Sequence, residues 1–76
     1  MIREHGRIVL LKDLPDEGLK TGDVGTVVHV YHNGEAFEVE FMTLDGGTVA
    51  VVTLPASSVR SVGHRDLTHV RELSAA

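Results

Sequence analysis

The clearest signal in the chain is a two-residue alternation over Ala36–Phe41. Phe37, Val39 and Phe41 fall on one side and Glu38 and Glu40 on the other, which predicts a half-buried strand. Other apolar runs flank it. Arg7-Ile8-Val9-Leu10-Leu11-Lys12 is a short run bounded by charges and predicts the first strand. Val24 to Tyr31 is rich in valine and predicts the second. Thr48 to Leu54 predicts a fourth and Val59 to Val62 a short fifth. Between them, His32-Asn33-Gly34-Glu35 predicts a hairpin turn, because Asn-Gly readily takes positive φ. Leu44-Asp45-Gly46-Gly47 predicts a second turn, and Pro55-Ala56-Ser57-Ser58 a single 3₁₀ turn.

The predicted fold class is therefore all-β. Four strands, a 3₁₀ turn and a closing strand are the order of a small five-stranded SH3-like barrel. The long segment Asp13–Asp23 takes the place of the loop between the first two strands, and such loops often carry binding. It ends in Gly22-Asp23-Val24-Gly25, where the glycines predict a tight entry and a bulge. One domain is expected over residues 1–76, with a core of about 6–63 and a C-terminal tail over 64–76. In the tail, Leu67, Val70 and Leu73 recur every third residue, and Asp66 suits a helix cap. Leu67, His69, Arg71 and Leu73 also alternate with Thr68 and Val70, which suits an extended segment. Thr, His and Val are poor helix formers, so the extended form is favoured.

A chain of 76 residues buries only about 60% of the surface its unfolded form exposes, so its core is small. There is no cysteine, hence neither a disulfide nor a thiolate metal site. That suits a cytoplasmic protein. Neither a signal peptide nor a membrane-spanning run is expected from the pattern. Eleven acidic residues against seven basic ones leave a net charge of −4, with the bases scattered among acids. A surface of this kind disfavours nucleic acid, which usually meets a stripe of Lys and Arg.

Leu14-Pro15, Gly18-Leu19, Gly22-Asp23 and Gly25-Thr26-Val27-Val28 together resemble the signature of a small bacterial family known as a domain of unknown function. Tyr31, Glu38-Val39-Glu40-Phe41, Leu44-Asp45-Gly46 and Val59-Arg60 fit the same pattern, so the resemblance runs from Arg7 to Leu73. It implies an SH3-like barrel and a setting similar to toxin–antitoxin pairs, in which the chain is the antitoxin-like partner. More distantly, Gly22-x-x-Gly25-x-Val27 is similar to KOW-type RNA-binding barrels. It is similar too to the barrels of photosystem accessory subunits, ferredoxin-docking subunits and the nitrile hydratase β-subunit. These imply an RNA-binding role, or an accessory role in a redox or hydratase complex. The shared glycines serve the turn itself and separate such functions poorly.

The chemistry-bearing residues point away from catalysis. There is neither a cysteine nucleophile nor a Gly-x-Ser-x-Gly elbow, and Ser57 and Ser58 belong to a turn. Glu38 and Glu40 share a solvated face, and a barrel this small is expected to lack a ligand cavity of hundreds of Å³. The five histidines have no spacing that assembles a tetrahedral metal site, so no metal and no cofactor is expected. The predicted role is a non-enzymatic protein-interaction module. Asp16, Glu17, Asp23, Glu38 and Glu40 are its candidate contacts to a protein partner. The alternative, an RNA-binding barrel, would use Arg3, Arg7, Lys12, Lys20 and Tyr31. The fourth strand is apolar on both faces, which predicts a homodimer through Ala50, Val52 and Leu54 aided by Val70 and Leu73.

Overall fold

Each of the five apolar runs becomes a strand. The computed structural model describes residues 1–73, so Ser74 to Ala76 of the expected tail lie outside the described residues. Strands β1 (Arg7–Leu10), β2 (Val24–Tyr31), β3 (Ala36–Met42), β4 (Thr48–Pro55) and β5 (Val59–Ser61) are all antiparallel. They form one sheet in the order β4-β3-β2-β1-β5, with a 3₁₀ turn over Ala56–Ser58 before the last strand. This order is compatible with the expected SH3-like barrel.

The turns follow from backbone chemistry. Between β2 and β3, His32, Asn33 and Gly34 take φ of 48°, 59° and 101°, so the left-handed stretch begins one residue before the Asn-Gly pair. The long β1–β2 segment has structure of its own. Pro15–Glu17 forms a 3₁₀ turn closed by Gly18, and Leu14 and Leu19 exchange backbone hydrogen bonds at 2.9 and 3.1 Å. That small bridge drops Leu19 into the core.

The core lies on one side of the sheet, with Ile8, Leu10, Leu19, Val27, Phe37, Val39, Phe41, Leu54 and Val59 as its buried members. Two bulges decide which valines reach it. In β2, Val27 pairs with Val39 and His29 with Glu38, which leaves Val28 as the extra residue. The strand therefore changes phase, and Val27 and Val30 face inward although they are three apart. The expected bulge thus falls at Val28 and not at the glycine turn. Gly25 serves close packing: a Cβ there would lie 2.5 Å from Val39 Cγ1 and 3.1 Å from the Glu40 carbonyl oxygen. In β4, the shift between Phe41 and Met42 sets Val49 out of register.

The faces of β4 correct the expected dimer interface. Leu54 pairs with Phe37, Val52 with Val39 and Ala50 with Phe41, so all three share the core-facing side of the sheet. Leu54 is 3% exposed and belongs to the core, with Ala50 and Val52 packed against it. That face is used for packing within the chain. The outward apolar residue in this stretch of β4 is Val51.

Candidate functional site

Past β5, residues 62–73 run without regular structure, and two polar anchors fix their path. The first is local. Arg60 donates to both carboxylate oxygens of Asp66 at 3.0 and 2.9 Å, and the Gly63 N–H donates to Oδ2 at 2.6 Å. Asp66 therefore holds a bend where a helix cap was one expectation. The Arg60 guanidinium, with the Gly63 amide, holds its carboxyl down to about 2.

The second anchor spans the molecule. Arg71 Nε donates to Asp23 Oδ1 at 2.7 Å, and its Nη2 donates both to Oδ2 at 2.6 Å and to the Gly18 carbonyl at 2.9 Å. Asp23 Oδ2 also accepts the Lys20 N–H at 2.9 Å, and His69 Nε2 lies 3.4 Å from Oδ1. Asp23 is only 8% exposed. Burial alone would raise its carboxyl, but the Arg71 fork and the Lys20 amide outweigh it and hold the group below the usual carboxylate range. His69 and Arg71 thus point onto the sheet, and Leu73 is better covered than Val70, at 40% against 70% exposed. The two-residue alternation of an extended segment is kept from His69 to Leu73, whereas Leu67, expected on the same side, stands in solvent.

Two grooves lie along the tail. The larger, of about 770 Å³, is lined by apolar residues that include Leu19, Val24, Phe41, Val49, Val70 and Leu73. The second, of about 620 Å³, includes Val9, Val24, Met42, Leu44 and Leu67. Both are open grooves lined in part by tail residues, so neither is the enclosed ligand cavity that a small barrel was expected to lack. The larger one runs from the tail residues Val70 and Leu73 to the core residues Leu19 and Phe41. Leu44 and Leu67, at 94% and 93% exposed, stand at the second groove with their side chains in solvent.

The model of a family described as a domain of unknown function, DUF4926, matches residues 4–61. The chain belongs to that family. The match takes in all five strands and Asp23, and stops at the end of β5. In this DUF4926 chain, both Asp66 and Arg71 lie beyond the matched region. No curated protein and no solved structure matches the chain.

The acidic residues singled out in the sequence do not behave as one free surface. Asp23 is engaged by Arg71, so it is withdrawn from the exposed contacts expected of it. Glu38 and Glu40 do share the outer side of β3, where Glu38 accepts the Tyr31 hydroxyl at 3.2 Å and Glu40 that of Thr48 at 2.7 Å. Asp16 and Glu17 are exposed on the 3₁₀ turn of the β1–β2 segment. Of the basic set, Arg7 lines the second groove beside Glu40, and Tyr31 packs edge-on against His29 with ring centroids 4.4 Å apart. Among the described residues no three His, Asp or Glu side chains gather as a metal site, and no helix is long and apolar enough to cross a membrane.

In the sequence Arg71 is one of seven scattered bases, and nothing in its immediate neighbours marks it as a partner of Asp23. The available signal was the alternation His69-x-Arg71-x-Leu73, which puts the guanidinium on the same side as an apolar anchor.

Proposed function

We propose that this chain is a non-catalytic module that binds a partner protein at the grooves between its tail and its sheet. The observation that carries this reading is the solvent-exposed set Leu44, Leu67 and Val70 beside two mostly apolar grooves. Contiguous apolar surface edged by polar groups is what protein contacts use. Asp45 and Glu72 supply polar edges at the larger groove. A cytoplasmic setting suits this reading, since the chain carries no cysteine. An antitoxin-like role is its narrower form, supported by the family resemblance.

The test is comparative capture from the native host with the full-length chain and with a Leu44→Glu, Leu67→Glu variant. Both positions are almost wholly exposed, so the fold is kept. A stoichiometric protein held by the wild type and lost by the variant is the expected result. Light scattering of the purified chain shows whether that partner is a second copy. Equal capture by both proteins, or recovery of nucleic acid alone, defeats the proposal.

A further inference from the structure

Resting on that reading, we infer that the Asp23 carboxylate and the Gly18 carbonyl form a receptor for an arginine side chain of the partner, filled in this chain by its own Arg71. The partner chemistry that fits is an extended segment carrying an arginine and, two residues later, an apolar side chain.

The receptor is built before any partner arrives. The Lys20 N–H fixes Asp23 Oδ2, and the 3₁₀ turn over Pro15–Glu17 aims the Gly18 carbonyl. Three acceptor atoms thus face one planar fork, a geometry that guanidinium meets and ammonium does not. Arg71 shows the fit directly, with contacts of 2.7, 2.6 and 2.9 Å.

The tail behaves as a stand-in ligand that leaves room beside it. Arg71 occupies the receptor and Leu73 lines the larger groove next to Leu19, Val24 and Phe41. Yet Leu67 and Val70 remain turned to solvent and the groove stays open. The tail is therefore held chiefly by its polar latch, and a segment with the same arginine and better apolar anchors displaces it. The division of the chain agrees. Gly18, Leu19 and Asp23 fall within the family match over residues 4–61, whereas the residue that fills them lies ten positions past it, at 71. Charge favours the same occupant, because a net charge of −4 attracts a basic segment.

Tethering gives the resident arginine an effective concentration on the order of millimolar, so an external segment competes poorly with the intact tail. The probe is a blocked synthetic peptide with the sequence of Thr68–Leu73, titrated by NMR into full-length wild type and into full-length Arg71→Gln. The Arg71→Gln chain is expected to bind it at least about tenfold more tightly than wild type. Replacing the peptide's arginine by lysine is expected to weaken binding to Arg71→Gln at least about tenfold, a change that leaves the protein's fold untouched. Shifted resonances should centre on Gly18, Leu19 and Asp23. Equal affinity for both chains, no binding by Arg71→Gln at millimolar peptide, or tolerance of lysine each overturns the receptor. If the peptide fails while Leu44→Glu, Leu67→Glu still loses the captured partner, the docking reading stands and the receptor alone falls.

Discussion

Asp23 and Arg71 are 48 positions apart in sequence, yet they make the shortest charge-assisted contacts between the tail and the sheet. The two ends of this pair are not equivalent. Asp23 also caps the Lys20 amide, so Asp23→Ala strands both a guanidinium and a backbone N–H. That substitution is expected to cost about 1.5–3 kcal/mol, read by chemical denaturation, the range for hydrogen bonds to charged groups. Arg71→Ala leaves the Lys20 bond intact and lets Asp23 meet water, so its cost should be smaller. The pH dependence has a definite sign. Asp23 is depressed in the folded chain, where burial raises it less than Arg71 and the Lys20 amide lower it; Asp66 is depressed to about 2, chiefly by Arg60. A depressed carboxyl adds stability that is fully present above its unfolded value and lost as pH falls through its folded one. The stability that Asp66 contributes, read as the difference between wild type and Asp66→Asn, should therefore hold steady from about pH 7 to pH 5 and decline only below about pH 4, where unperturbed carboxylates begin to protonate. A decline centred near neutral pH would show that another group controls the tail.

At the scale of elements, β4 separates the two uses to which an apolar strand can be put. Because Val52 lies opposite Val39 and packs on the core, Val52→Glu is expected to unfold the chain or lower its melting temperature sharply. A folded Val52→Glu protein with an unchanged melting point would restore the outward face. Gly25→Ala tests the other close contact. Its methyl would meet Val39 at 2.5 Å, and overpacking of that kind costs about 1–3 kcal/mol, checked by the shift in denaturation midpoint. The strands themselves were legible because β3 alternates without interruption and the Asn33-Gly34 and Asp45-Gly46 turns mark its ends. The faces of β2 and β4 were harder. A single extra residue at Val28 reverses the phase of everything after it, and nothing local in Val27-Val28-His29-Val30 says where that residue is. The latch was hidden for a different reason. A salt bridge between a turn aspartate and a tail arginine leaves no periodic trace, so Asp23 read as a surface acid and Arg71 as one base among seven.

For the molecule as a whole, the question is whether tail and sheet melt as one unit. Every buried hydrophobic residue lies between Ile8 and Val59, so the described core is complete without the tail. The tail adds the Arg60–Asp66 clamp, the Arg71 latch and partial cover by Leu73. Structure held by a few polar contacts over exposed side chains opens at lower free energy than a packed core. Amides in β2 and β3 should then exchange only through global unfolding, while any protected amides of residues 66–73 exchange through a local opening. Arg71→Gln is expected to speed the tail amides by about tenfold or more, through loss of the charge-assisted bonds to Asp23 and Gly18, while leaving β2 and β3 protection unchanged. For a domain of this size each kcal/mol of global stability is worth about 4–8 °C in melting temperature, so the two behaviours are easy to tell apart. If Arg71→Gln lowers the melting point as far as Asp23→Ala does, and lowers protection in β3 as much as in the tail, the two parts form one cooperative unit. A latch that opens without the sheet, by contrast, gives an incoming partner access to the Asp23 receptor at no cost to the fold that builds it.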